Sequence, residues 1–272
     1  VLASPVAGFN VTPTEGNAPL TVQCTDQSTG DVTAWFWDFG DGNTSTEQSP
    51  AHTYEGSGTY TITLNASNAY GYSVSDPITI TVLESPVAGF NADPTEGNAP
   101  LGVQFTDEST GDVTAWLWNF GDGDISTEQN PVHTYTTPGI YTVTLTASNA
   151  YGEDTETRTG YITVLASPVA GFNVTPTEGN APLDVQFTDE STGDITDWFW
   201  DFGDGNTSTE QNPSHIYVTS GTYAATLNTS NAYGYSVSAP VTITVLASPV
   251  AGFNVTPTEG NAPLDVQFTD ES

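Results

Sequence analysis

The chain has 272 residues, of which 33 are Asp or Glu and one is Arg, giving a formal net charge of −32. So little positive charge excludes nucleic-acid binding, a polybasic membrane-surface role, and enzymes that grip phosphate or carboxylate substrates through basic side chains. The acidity does not signal disorder, because 12% of residues are charged while 36% are hydrophobic and 11% aromatic, and that composition suits packed cores, a soluble extracellular life or a cationic partner.

Along the first 84 residues the hydrophobic period is two. After Ser4-Pro5-Val6-Ala7-Gly8-Phe9-Asn10 come Leu20, Val22 and Cys24, alternating with Thr21, Gln23 and Thr25. Trp35, Trp37 and Phe39 share one face of the next run, and Gly40-Asp41-Gly42 reads as a tight turn. Tyr60, Ile62 and Leu64, then Ile78, Ile80 and Val82, alternate with Thr. Apolar-inward, polar-outward strands follow from this pattern, and nothing has the period of an amphipathic helix. About seven short strands separated by Gly, Asn, Asp and Pro predict a β-sandwich.

Starting from Ser4, the motif Ser-Pro-Val-Ala-Gly-Phe-Asn returns at Ser85, Ser167 and Ser248, at successive spacings of 81, 82 and 81 residues. The expected organisation is the tail of a preceding repeat at 1–3, repeats at 4–84, 85–166 and 167–247, and the first two strands of an incomplete fourth repeat at 248–272. Copy two carries a one-residue insertion between Tyr151 and Ile162, around Arg158. The chain is expected to be a window of a longer array. The copies are nearly alike, so positions that differ between them carry the most information. Each linker is only about four residues and contains Pro, which predicts a semi-rigid rod.

Trp37-Asp38-Phe39-Gly40-Asp41-Gly42, followed by His52-Thr53-Tyr54 and by Gly58-Thr59-Tyr60-Thr61-Ile62-Thr63-Leu64, resembles the PKD domain, an immunoglobulin-like sandwich. Copy three repeats the signature from Trp200 to Gly205, and copy two has Asn119 in place of the Asp. The resemblance implies an all-β string of non-catalytic extracellular modules of an archaeal or bacterial surface protein. The expected role is a stalk, sheath, surface layer or fibre, or else a spacer or binding module of a secreted hydrolase or adhesin. Its expected partners are other copies of itself and cell-surface or matrix components. Neither nucleic acid nor direct membrane insertion is expected, since no apolar run reaches the ~18 residues a spanning helix needs.

Trp37, Trp118 and Trp200 are expected to be buried, like the strand-C tryptophan of immunoglobulin cores. His52, His133 and His215 stand singly in their copies, which suits a local hydrogen bond better than zinc or a catalytic triad. Cys24 takes the place of Phe105, Phe187 and Phe268 and reads as a small core residue. Sequons at Asn10, Asn43, Asn65, Asn173, Asn206, Asn228 and Asn254 are candidate glycosylation sites. Phe36, Leu117 and Phe199 fall on the face opposite Trp37 and should be exposed. Acidic groups are expected to converge on the linkers, Glu15, Glu84 and Asp112 at the first, joined by the amide oxygen of Asn149, and Glu96 and Asp194 at the second. These oxygen ligands nominate Ca²⁺ as the one expected cofactor. No catalytic residue is expected.

Overall fold

The computed structural model describes residues 3–272, so the expected tail residues Val1 and Leu2 lie outside the described part. Among the described residues every regular element is a strand, and no helix is long and apolar enough to cross a membrane.

Copy one contains β1 (Phe9–Thr12), β2 (Glu15–Asn17), β3 (Leu20–Asp26), β4 (Ala34–Asp38), β5 (Thr44–Ser45), β6 (Ala51–Tyr54), β7 (Gly58–Asn68), β8 (Gly71–Val74) and β9 (Ile78–Leu83). Nine strands, rather than about seven, arise because two- and three-residue strands are too short to show a period. One sheet has the order β1-β3-β6; the other runs β2-β9-β7-β4-β5, with β8 also on β7. All pairs are antiparallel except β2 and β9, which run parallel from Glu15 opposite Thr81 to Asn17 opposite Leu83. The alternation is as the sequence requires: Leu20, Val22 and Cys24 point inward and are buried, while Thr21, Gln23 and Thr25 are exposed. The two inner faces close over Val11, Trp37, Phe39, Tyr54, Ile62, Leu64, Ile80 and Val82. Burial of such side chains contributes roughly 1.5–3 kcal/mol each.

Copy two repeats the plan with β10 (Phe90–Asp93), β11 (Glu96–Asn98), β12 (Leu101–Asp107), β13 (Ala115–Asn119), β14 (Ile125–Ser126), β15 (Val132–Tyr135), β16 (Gly139–Asn149) and β17 (Gly152–Leu165). Here a single 14-residue strand replaces the β8–β9 pair. In copy one Pro77 lacks the N–H that a continuous ladder would need. Copy two has Arg158 at that place and absorbs the inserted residue at Gly160, whose φ is 60°.

Copy three has β18 (Phe172–Thr175), β19 (Glu178–Asn180), β20 (Leu183–Asp189), β21 (Asp197–Asp201), β22 (Thr207–Ser208), β23 (Ser214–Tyr217), β24 (Gly221–Asn231), β25 (Gly234–Val237) and β26 (Val241–Leu246). It restores the interruption, at Pro240, and keeps the edge pairing common to all three copies, β2 with β9, β11 with β17 and β19 with β26. The last 25 residues contribute only β27 (Phe253–Thr256) and β28 (Gln267–Asp270), paired with each other. Phe253 and Phe268 are exposed there, whereas Phe105 and Phe187, which match Phe268, are fully buried. Packing groups the chain into two units. One is the chain up to Glu96 with Leu101–Tyr135 and Gly139–Thr163; the other is Gly97–Pro100, Thr136–Pro138 and Val164–Ser272.

Candidate functional site

Four groups of side chains lie outside the cores, beginning with the Gly-Asp-Gly turn. Asp38 Oδ1 accepts from the Gly40 N–H at 2.9 Å, and Asp41 Oδ1 from the Asn43 N–H at 3.0 Å. Gly40 has φ 77°, and a Cβ there would lie 2.6 Å from the Thr61 carbonyl oxygen, so both angle and space demand glycine. His52 Nε2 bonds Asp41 Oδ2 at 2.8 Å, its ring lies flat on Phe39 at 4.0 Å, and Tyr54 donates its hydroxyl to the Phe39 carbonyl. His133 and His215 repeat this with Asp122 and Asp204. The local bond expected for these histidines is therefore present in every complete copy. Asn119 replaces Asp38 without loss, because its Oδ1 accepts from the Gly121 N–H at 2.9 Å. Burial pushes the Asp41 carboxyl up, but the hydrogen bonds from Asn43 and His52 outweigh it and hold it below the usual carboxylate range.

A second carboxylate supports the outer edge of each core. Asp26 Oδ2 accepts from Trp35 Nε1 at 2.8 Å and from Gln48 Nε2 at 3.1 Å, and Oδ1 accepts from the Ser28 N–H. Asp107 and Asp189 do the same with Trp116 and Trp198. Burial again raises these carboxyls, and the accepted hydrogen bonds lower them further than burial raises them. Trp37, Trp118 and Trp200 are fully buried as expected, and Trp37 donates Nε1 to the Glu47 carbonyl. Cys24 is also fully buried, with its thiol pushed up to about 11 by burial, which leaves it protonated and unreactive at neutral pH.

The linkers form the third group. Asp112 Oδ2 accepts from the Glu84 N–H at 2.6 Å, and Asp194 Oδ2 from the Ala166 N–H at 2.6 Å. Ser85 Oγ donates to the Ala18 carbonyl, and Ser167 Oγ to the Ala99 carbonyl. The amides of Asn17 and Asn149 pair reciprocally at 3.2 and 2.9 Å, and those of Asn98 and Asn231 at 3.1 and 2.9 Å. Tyr151 meets Glu15, and desolvation followed by the Glu15 charge and hydrogen bond raises its phenol. At the first linker Asp112 is spent on the Glu84 N–H and Asn149 on Asn17, while Glu15 faces Tyr151; among the described residues the carboxylates of Glu15, Glu84 and Asp112 are not drawn together into a metal-ligand group. Glu96 opens β11 and is exposed. The roles of Asn17, Asn98, Ser85 and Ser167 were not legible in the sequence, since a short polar residue that recurs in each repeat gives no signal of where it reaches.

The fourth group is the outer faces. Phe36, Leu117 and Phe199 are exposed at 49%, 47% and 48%, as their register requires. Asn10, Asn173 and Asn254 are exposed, each with Oδ1 accepting from the next backbone N–H. Asn43 and Asn206 instead donate Nδ2 to Asp41 and Asp204. Asn65 points outward as expected, alternating with the buried Leu64 and Ala66, and Asn228 matches it, but both are partly covered rather than fully solvated. Asn65 lies between Phe36 and Val74 across the strands, and Asn228 between Phe199 and Val237, and in both the side-chain oxygen is buried with no partner.

Copy two differs from its sisters at two further places. Asp124 replaces Asn43 and Asn206, so a donor to the turn carboxylate becomes a second carboxylate. Asp122, Asp124 and His133 each bring a ligand atom within 4.8 Å of the others, which makes them the candidate cation group among the described residues. The other place is Arg158, whose guanidinium lies 4.6 Å above the Phe90 ring.

Comparison with known proteins fits this geometry. The PKD domain family matches residues 3–82, 84–164 and 166–245. Collagenase ColA of Bacillus cereus is 43% identical over 70 residues, 24% of this chain and 7% of that protein. Pre-pro-metalloprotease PrtV of Vibrio cholerae is 38% identical over 76 residues, 28% of this chain and 8% of that protein. Polycystin-1 of Homo sapiens is 29% identical over 207 residues, 71% of this chain and 5% of that protein. The chain thus spans under a tenth of the length of each of these relatives. Among solved structures, the titin I-band fragment I67-I69 superposes with a TM-score of 0.63 at 15% identity, covering 92% of this chain and all of that one, a likeness of fold.

Proposed function

Because the chain belongs to the PKD domain family over three successive copies, we propose that it is a non-catalytic extracellular repeat array that holds other groups at a distance, as a stalk, sheath or fibre. The observation that carries this reading is the recurrent linker: a carboxylate on the linker N–H, a serine on the preceding copy, and a reciprocal asparagine pair, made at Asp112, Ser85 and Asn17–Asn149 and again at Asp194, Ser167 and Asn98–Asn231. Linker glycines match it. Gly111 and Gly193 have φ of 84° and 98°, and a Cβ on either would overlap the carbonyl oxygen of Ser85 or Ser167. Electron microscopy of native material tests the proposal. Filaments of uniform repeat support the fibre, and isolated molecules bearing a catalytic domain would replace it with the second reading.

That second reading, an accessory module of a secreted hydrolase, is favoured by the likeness to the collagenase and the metalloprotease. In either role the exposed sequons Asn10, Asn173 and Asn254 are better glycan acceptors than Asn43 and Asn206, whose amide nitrogens are engaged. Ca²⁺ at the first linker, on Glu15, Glu84 and Asp112, belongs to the same proposal. It would offset the repulsion between such carboxylates wherever they approach within a Debye length, about 8 Å at physiological salt. Calorimetry and scattering with and without a chelator test it, and unchanged curves would remove it.

A further inference from the structure

The one arginine of the chain shows what a matching hollow on a sister copy is shaped to receive. In copy two, Arg158 Cζ lies 4.6 Å over the Phe90 ring and 5.0 Å from the Tyr161 ring. Its Nε donates to Glu156 Oε1 at 2.8 Å, and a terminal nitrogen donates to the Tyr161 hydroxyl at 3.1 Å. Phe90 is fully buried beneath this cover. Its counterpart Phe9 holds the same pose, edge-on to Trp37 at 5.1 Å as Phe90 is to Trp118 at 5.2 Å. Copy one, however, has the shorter Ser75-Asp76-Pro77-Ile78 in place of the segment carrying Arg158 and Tyr161. Phe9 is therefore only partly buried, and it borders a hollow of about 310 Å³ lined also by Gly8, Gln27, Ser75, Asp76 and Ile78.

We propose that this hollow on copy one binds the guanidinium of an arginine side chain presented by a partner protein, with the Phe9 ring as its platform and Asp76 as its counter-ion. The chemistry is that of copy two supplied from outside: a planar cation over an aromatic face, paired with a carboxylate. A second copy of this chain is a poor donor, since its one Arg is already engaged. The net charge of −32 steers a basic partner toward the surface, and the hollow then selects the planar group. Copy three is the internal control, because Ala239 stands where copy one has Asp76. The site is the same whether the array serves as a stalk or as an accessory module.

The test is an amide-shift titration of the 272-residue chain with a capped Gly-Arg-Gly peptide, and with the same peptide carrying citrulline, its neutral isostere. Saturable shifts are expected at Gly8 and Ser75, with Kd on the order of 1 mM for a single side chain. Citrulline should give none, and Gly171 and Ser238 of copy three should stay silent. Asp76→Asn, on an exposed turn, should weaken binding about 5-fold while leaving the spectrum otherwise intact. The proposal is overturned by equal binding of the citrulline peptide, by unchanged affinity in D76N, or by shifts that follow the acidic surface at large without saturating at the hollow.

Discussion

The cores of the three complete copies differ in a compensating way that a double-mutant cycle can expose. Copy one places Cys24 and Ile62 on facing sheets of one core, both fully buried. Copy three has Phe187 and Ala225 at those positions, also fully buried, within an otherwise matching set of side chains. Copy two has Phe105 with Val143, and Ala92 where copy one has Val11. Large opposite small is thus met in either arrangement. Cys24→Phe alone inserts a ring against Ile62 and should cost about 1–3 kcal/mol through overpacking. Ile62→Ala alone leaves a cavity beside a small thiol and should cost about 2–5 kcal/mol. Independent effects would sum to about 3–8 kcal/mol. The double variant recreates the copy-three pair and should cost less than about 1.5 kcal/mol, so the coupling is at least about 1.5 kcal/mol in the stabilising direction. Native-state hydrogen exchange at the amides of Trp37 and Leu64 reads the stability of copy one, with Trp200 and Leu227 of copy three as an unmutated reference. A double variant whose loss equals the sum of the two singles would refute the compensation.

The acid limb of stability should follow the tryptophan-bonded carboxylates. Asp26, Asp107 and Asp189 are held below their ordinary value of 3.8, so their contribution is present above that value and lost as pH falls through the lower folded values. Replacing all three by Asn should flatten the fall in melting temperature below about pH 4, which thermal scans across that range would show. Gly111→Ala should cost about 1–3 kcal/mol, since it adds both a positive-φ penalty and an overlap with the Ser85 carbonyl, read as a drop in the melting temperature of copy two. Asn149→Ala strips the Asn17 amide of its partner and should cost about 0.5–1.5 kcal/mol, read as faster exchange at the backbone amide of Ala18. Asp124→Asn should stabilise copy two by a few tenths of a kcal/mol in chelator, by restoring an amide donor beside Asp122 and removing a like charge; an unchanged melt would count against the repulsion.

Much of the fold was legible because one residue type does one job in it. The alternation of Leu20, Val22 and Cys24 with polar neighbours fixes which face is inside, and the Gly-Asp-Gly turn can be recognised because only glycine takes its angles. The three-residue β2 could not be read, since it has no room for a period and is held by a parallel neighbour some 65 residues away in sequence. The candidate sites were less legible for a related reason. That Glu15, Asp112 and Asn149 lie at the first linker could be argued from topology, but that Asn149 would bond Asn17, 132 residues distant, depends on side-chain reach across a linker. Arg158 was noticed for its charge and its insertion. What it covers, and what its absence uncovers in copy one, required the positions of two phenylalanines.

The parallel pairing of β2 with β9 has a mechanical consequence. When copy one is pulled by its two ends, tension enters through β1 and the adjoining β2 and leaves through β9. Because β2 and β9 point the same way, the two are drawn past each other lengthwise rather than peeled apart from one end. The bonds from the Thr81 N–H to the Thr14 carbonyl and from the Ala18 N–H to the Leu83 carbonyl, each 2.9 Å, are therefore strained together. A patch loaded in shear must lose several hydrogen bonds at once, so it yields at a higher force than one that unzips singly. Copy three carries the same patch, with Thr244 bonded to Thr177 and Ala181 to Leu246, and tension passed along the chain would meet it there again.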